Sequence, residues 1–447
     1  MNIGPRGTAV EILNEVDRGA FAEPLLDRSL SGGKSMGPRD RGLLTMLVYG
    51  TLRMRGRLDW NLRRHYRADY DAMETGIRNI LRIGAYQAMF MDRVPDYAVV
   101  SESVETARRM FPGREGLVNG VLRGFLRGKG RRQYPDPENE PAAHISAFHS
   151  HPLWLVEKWI ERYGVSETRA LCEADNGIPP CTVRVNRLRA ERKPLADKLR
   201  SAGMRVFFTP VSPDGLILED AEIPLRESSF VRTGSIQVQD EASQMISVLT
   251  NPPRGGRVLD LCSGIGGKTA HLAEIMGNEG EIAAADINRG KLNSLRRIAG
   301  RLGISIVKTF VRDAAQDLGS SFHGGFDRVL VDAPCSGTGT LRRNPEIKWR
   351  LRPEDIPGLQ SLQTEILGRA ALYPRKGGLL VYSTCSLLSE ENEDVVSTFL
   401  SRNGSYRPVA PHHEATAGLI GPDLLFRTFP HRGGMDGFFA AVMERIN

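Results

Sequence analysis

The run Phe326-Asp327-Arg328-Val329-Leu330-Val331, continuing into Asp332-Ala333-Pro334-Cys335-Ser336-Gly337-Thr338-Gly339, decides how the chain is read. Its first part is largely apolar and β-branched, holds no Pro or Gly, and is followed by turn residues, which predicts a buried strand. A carboxylate and a thiol therefore stand where a strand ends and a glycine-rich loop begins. In open parallel α/β sheets that is where ligands bind. Leu379-Leu380-Val381-Tyr382-Ser383-Thr384-Cys385 puts a second thiol in the same kind of place.

Outward from these two strands, residues 255–447 alternate strand and helix. Strands are expected at 257–262, 281–286, 305–311, 328–333, 378–384 and 438–443, with helices such as 268–276 and 289–302 between them. Such alternation predicts a parallel sheet covered on both faces. Val258-Leu-Asp-Leu-Cys-Ser-Gly-Ile-Gly-Gly-Lys-Thr269 reads as a strand, a glycine turn and a helix start. Glycines let backbone approach a ligand closely, and helix N-terminal amides attract negative charge. It is not a phosphate loop, because Gly-x-x-x-x-Gly-Lys-Ser/Thr is absent. Asp260, Asp286, Asp313 and Asp332 close four successive strands. One such Asp is commonplace as a helix N-cap; four in register point to a shared nucleoside pocket, with Asp286 suited to ribose hydroxyls and Asp313 to an adenine amino group.

The N-terminal third reads differently. Apolar residues recur at helical spacing through 1–133 (Ile12, Leu13, Val16; Leu43, Leu44, Leu47, Val48; Ile77, Ile80, Leu81; Leu117, Val121, Leu122, Phe125), with Gly32-Gly33 and Pro112-Gly113 between runs. Tyr134-Pro-Asp-Pro-Glu-Asn-Glu-Pro141 reads as a linker opening a further helical segment to residue 179, and 180–245 as a small α/β domain with strands near 182–186, 206–209 and 215–218 and a helix at 193–202. The catalytic domain then covers 246–447.

Residues 1–150 hold 23 Lys+Arg against 18 Asp+Glu, most of the chain's net charge of +7. Arg53, Arg55, Arg57, Arg63, Arg64 and Arg67, with the tail Arg123, Arg127, Lys129, Arg131 and Arg132, suit phosphate through their planar forks; any one of them alone is better read as a solvated helix face. Five cysteines without regular spacing argue for reduced thiols in the cytoplasm. Neither a signal pattern nor a membrane span is expected.

The strand-end motifs, with Arg343-Asn-Pro-Glu-Ile-Lys-Trp349 and Gly433-Gly-Met-Asp-Gly-Phe-Phe439, resemble the RNA cytosine-5 methyltransferases. The N-terminal helices, with Arg39-Asp-Arg41 and Asn119-Gly-Val-Leu-Arg123, resemble the NusB-like domain that marks the small-subunit ribosomal RNA methyltransferase B family. The resemblance implies an all-α NusB-like bundle, a small α/β (RRM-like) middle domain and a C-terminal α/β Rossmann-like methyltransferase. It implies S-adenosylmethionine as cofactor, held by Cys262, Ser263, Gly264, Ile265, Gly266, Gly267, Lys268, Asp286, Asp313 and Asp332, and 16S ribosomal RNA as partner, with no metal. It further implies Cys385 as nucleophile on cytosine C6, Cys335 in release of the product, Asp332 on the cytosine edge in protonated form, and Lys268 as the cation near Cys385. The Cys262 side chain is expected only to pack, and Cys172 and Cys181 to be structural. Where the family usually has Ala-Ala-Pro, this chain has Ser263-Gly264-Ile265, which predicts a more flexible loop. Arg343, Lys348 and Arg350 are expected to touch the RNA backbone.

Other readings compete. A DNA cytosine-5 methyltransferase would use the Pro-Cys thiol as nucleophile, but the Thr-Cys motif and the lack of a DNA-reading module stand against it. The substrate alternative is tRNA or another RNA. A non-catalytic RNA-binding assembly factor is opposed by the retained thiols and carboxylates.

Overall fold

A computed structural model describes residues 3–31, 36–128, 133–219, 225, 228–411 and 413–447. The expected turn at Gly32-Gly33 and the basic residues Lys129, Arg131 and Arg132 lie outside them. The chain divides into two compact units, Met1–Ile178 with Leu341–Pro353, and Pro179–Thr340 with Glu354–Asn447.

The first unit is helical: α1 (Gly4–Asp17), α2 (Ala22–Ser31), α3 (Pro38–Leu62), α4 (Thr75–Phe90), α5 (Asp96–Met110), α6 (Glu115–Arg127), α7 (Pro141–His149) and α8 (Leu153–Asp175). The apolar stripes meet in one core that contains Leu13, Leu44, Leu47, Ile80, Leu122 and Phe125, as helical periodicity requires. Several arginines work inside this unit. Arg82, almost fully buried, forks onto Asp59 at 2.8 and 2.7 Å, and Arg55 pairs with Asp17 at 2.8 Å. Arg57 lies over Phe148 and donates to the Tyr134 hydroxyl. The stretch from Tyr134 thus packs on the bundle, and Pro141 begins α7, where its missing N–H is harmless.

The second unit opens with β1 (Cys181–Val185), α9 (Arg192–Ser201), β2 (Arg205–Phe208), β3 (Gly215–Glu219), α10 (Ser229–Arg232) and β4 (Ile236–Val238). These strands form an antiparallel sheet of order β2-β3-β1-β4. Cys181, expected to be structural, is exposed at its start, while Cys172 is buried in α8. The short strand β4 escapes the sequence reading because three residues carry no alternation to detect.

After α11 (Glu241–Thr250) come β5 (Arg257–Asp260), α12 (Gly267–Ile275), β6 (Glu281–Asp286), α13 (Arg289–Leu302), β7 (Val307–Val311) and β8 (Phe326–Asp332). The chain then contributes α14 (Ile347–Arg350) to the helical unit before α15 (Asp355–Ala370), β9 (Pro374–Thr384), α16 (Glu393–Arg402), β10 (Tyr406–Pro408), β11 (Phe426–Thr428) and β12 (Phe438–Arg445). The main path of the sheet is β10-β12-β9-β8-β5-β6-β7, with β11 on β12. From β9 to β7 the strands are parallel, but β12 runs antiparallel to β9, β10 and β11. The sheet is therefore mixed rather than parallel: strand–helix alternation does not reveal that the last strand enters from the opposite end. Alternate residues serve opposite cores, Val258, Ile282, Leu330 and Val381 on one face and Leu259, Ala283, Val329 and Leu380 on the other.

Within the helical unit, the segment containing α14 is anchored by Lys348. Its ammonium donates to the carbonyls of Arg53 (3.0 Å) and Ser150 (3.1 Å) and to Asn176 Oδ1 (3.0 Å), and Trp349 Nε1 donates to the Leu52 carbonyl. Lys348 is buried, which removes it from the expected set of RNA-backbone contacts.

A buried ion pair ties the small sheet to α12. Arg184 of β1 forks onto Glu274 at 3.1 and 2.7 Å, both side chains fully buried, and also donates to Gln239 and the Gly267 carbonyl. Removing one partner leaves an uncompensated buried charge. Glu274→Ala is therefore expected to lower the stability of the second unit by about 3–5 kcal/mol; urea unfolding of the full chain followed by circular dichroism measures it.

Candidate active site

The glycine turn after β5 is built by backbone geometry. Gly264 and Gly266 have φ of +56° and +90°, and a Cβ on Gly266 would meet Leu295 Cγ at 2.5 Å. The Gly264 N–H donates to Asp286 Oδ2 at 2.9 Å, and the Gly266 N–H to the Ser263 carbonyl at 2.9 Å. The turn thus hangs from the end of β6. Cβ positions above Gly264 and Gly267 face open space, and the exposed side chains of Ile265 and Ile287 offer apolar surface. The Cys262 thiol packs in an apolar cluster; burial, then Asp260, Asp332 and Asp286, push its pKa up.

Two strand-end carboxylates, Asp332 and Asp260, act on one ammonium, that of Lys268. Asp260 is buried and accepts from the Thr269 hydroxyl at 2.7 Å on Oδ2, while Oδ1 has no hydrogen-bond partner among the described residues. Burial chiefly, with the charges of Asp332 and Asp286 adding, pushes its pKa up to about 7. Asp332 accepts from Lys268 Nζ at 2.6 Å and from the Ser383 hydroxyl at 3.0 Å. Both Asp332 oxygens thus take part in a hydrogen bond in the structure. Burial depresses the Lys268 ammonium, but Asp332, Cys385 and Asp260 outweigh it, so its pKa lies above the ordinary value. The Phe438 ring centroid lies 5.0 Å from that ammonium. Asp286 also accepts from the Asn288 N–H, while Asp313 is exposed beyond β7 and accepts locally from Ala315 N–H.

The two thiols meet. Cys335 Sγ and Cys385 Sγ are 3.3 Å apart. Their loops are knitted by the Gly339 N–H donating to the Cys385 carbonyl (2.8 Å), the Leu387 N–H to Thr338 Oγ1 (2.9 Å), and a Ser336–Ser386 hydroxyl contact (3.2 Å). The hydrogen bond to Cys385, then burial, then the charges of Cys385 and Glu391, hold the Cys335 pKa well above the usual thiol value. Sequence reasoning missed Ser336, Ser386, Gln363 and Glu391. The available signal was the acidic Glu390-Glu391-Asn392-Glu393, which reads as a helix start.

Carboxylates at a strand-order reversal beside an open glycine turn mark the place where open parallel α/β sheets bind ligands, and such an arrangement is that of the α/β methyltransferase class. Residues 247–444 match the family described as 16S rRNA methyltransferase RsmB/F, residues 4–127 the NusB family, and residues 151–224 the RsmF/B-like ferredoxin-like domain. The probable ribosomal RNA small subunit methyltransferase B of Bacillus subtilis is 33% identical over 98% of both chains. The ribosomal RNA small subunit methyltransferase B of Pseudomonas syringae is 34% identical, over 91% of this chain and 90% of that one. The crystal structure of PH0851 covers all of both chains at 28% identity and a TM-score of 0.84. The chain belongs to the ribosomal RNA small subunit methyltransferase B family. It is thus a methyltransferase of ribosomal RNA, with S-adenosylmethionine as its cofactor.

The Asp260 pKa gives a pH test. Raised from 3.8 to about 7 in the fold, the group binds more protons folded than unfolded between those values. Its contribution to stability is complete below pH 3.8 and is lost as pH rises through 7. Asp260→Asn removes that slope. Across this window the urea midpoint of the wild type is expected to fall relative to that of Asp260→Asn as pH increases.

Proposed function

We propose that this protein methylates C5 of a cytosine in 16S ribosomal RNA through a covalent adduct between Cys385 and cytosine C6. The observation that carries the reading is the 3.3 Å approach of two thiols at the ends of adjacent parallel strands, beside a cradle for the donor. Cytosine C5 is a poor nucleophile; addition of a thiolate to C6 makes it enamine-like, splitting one hard step into two easier ones. S-adenosylmethionine supplies an electrophilic methyl group when bound. Gly264, Gly266 and Gly267 line its cradle, and Asp286 receives its ribose.

Two features support Cys385 as the nucleophile. The Cys335 pKa is held well above the usual thiol value, and Lys268 interacts electrostatically with Cys385. Asp332, pinned by Lys268 and Ser383, accepts from the cytosine amino group and orients the ring. After methylation the C5 proton leaves to a base, the C6–S bond breaks, and Cys335 assists that release. A base must leave its stack to reach these sulfurs, which suits single-stranded or loop RNA. In the helical unit, a cleft of about 530 Å³ lined by Tyr97, Asn119, Arg123 and Arg127 offers phosphate and base contacts.

Full-length variants incubated with unmodified 16S transcript and S-adenosylmethionine test the assignment. Cys335→Ala is expected to accumulate a protein–RNA adduct that survives denaturing electrophoresis, and Cys385→Ala to form none and to transfer no methyl group. The reverse pattern would make Cys335 the nucleophile. Bisulfite sequencing of 16S RNA from a deletion strain locates the methylated cytosine; an unchanged pattern sinks the substrate assignment.

A further inference from the structure

The mechanism needs both sulfurs at one point, yet they sit on separate loops that the sheet alone does not hold together. We infer that Glu391 is the positioning residue that keeps Cys335 and Cys385 at reacting distance by clamping the residue that follows each of them. The inference deepens the proposed function and rests on it for its kinetic consequence. Glu391 is fully buried, so it touches no substrate. Its Oε1 accepts from the Ser336 N–H at 2.8 Å and from Gln363 Nε2 at 2.9 Å. Its Oε2 accepts from the hydroxyls of Ser336 and Ser386.

The clamp reaches both sides of each cysteine. Gln363 Nε2 also donates to the Pro334 carbonyl at 2.9 Å, so Cys335 is flanked by two held residues. Next to Glu391, Asn392 is hydrogen-bonded to the Thr384 hydroxyl at 2.5 Å and donates to the Ser386 carbonyl at 2.9 Å, so Cys385 is flanked likewise. The Tyr382 hydroxyl donates to the Glu391 carbonyl at 2.6 Å, fixing the clamp to β9 itself. A buried carboxylate is a poor space filler, since it must be desolvated. Four donors converging on two oxygens offset that penalty, and they come from both thiol-bearing loops and from α15. The same negative charge contributes to keeping Cys335 protonated.

The test reads geometry without chemistry on RNA. Diamide, which takes up two hydrogens as it is reduced, closes a Cys335–Cys385 disulfide in the full-length protein. Intact mass and thiol titration follow the rate, with Cys335→Ala as the blank. Wild type is expected to close fastest. Glu391→Gln should be intermediate, because its amide can face the two serine hydroxyls while its oxygen still meets the Ser336 N–H and Gln363. Glu391→Ala is expected to be on the order of tenfold to a hundredfold slower, the range a misplacement near 1 Å brings. With unmodified 16S transcript, kcat should fall in the same order while KM for S-adenosylmethionine stays constant. Should Glu391→Ala fail to fold, Glu391→Gln and Gln363→Ala are judged by the same two rates. Disulfide closure as fast as wild type in folded variants, or a loss confined to KM, overturns the inference. If wild type methylates no cytosine while the diamide rates still follow residue 391, the positioning role stands and the proposed function falls.

Discussion

The parallel pairing of β8 with β9 is the constraint on which the site depends. Asp332 lies directly beside Ser383, so the two strands end nearly level. Each then turns within three residues to a cysteine. Without that register the sulfurs would part by whole strand rises of about 3.3 Å, and no loop rearrangement of modest energy would restore them. The hydroxyl of Ser383 on Asp332 marks the same register in side chains. The apolar alternation along both strands, serving a core on each face, holds them against slippage.

Around this pairing the charges are arranged as a graded set. Lys268 and Asp332 pair at 2.6 Å, while Asp260 and Asp286 stand at the ends of the neighbouring strands β5 and β6. Asp260 is lifted to about 7 chiefly because it is buried, with the like charges of Asp332 and Asp286 adding. A cationic donor relieves such a site and an anionic one does not. On the other side, the thiols sit among hydroxyls and the Glu391 carboxylate, which favours one proton remaining on Cys335.

The segment between the cysteine loop and α15 has another role. Leu341–Pro353 belongs by its contacts to the helical unit, where Lys348 spends its three donors on Arg53, Ser150 and Asn176. The chain that leaves the Cys335 loop is thus built into the bundle as a structural part of it. This explains why basic residues that read as an RNA-facing run are partly interior. It also shows that a boundary drawn along the sequence does not describe how this unit is assembled.

Much of the catalytic unit was legible because its chemistry is local. Apolar runs ending in Asp260, Asp286 and Asp332 announce strands, glycines at 264 and 266 announce a tight turn, and Thr384-Cys385 and Pro334-Cys335 announce thiols just past strand ends. The helical unit was legible from its 3.6-residue periodicity. What the sequence by itself could not determine is which distant groups face one another. The antiparallel entry of β12, the burial of Lys348, the pairing of Lys268 with Asp332 and the convergence of Ser336, Ser386 and Gln363 on Glu391 all arise from residues tens to hundreds of positions apart. Their partners are chosen by packing and by the need to satisfy buried polar groups, and those requirements exist only once the chain has closed on itself.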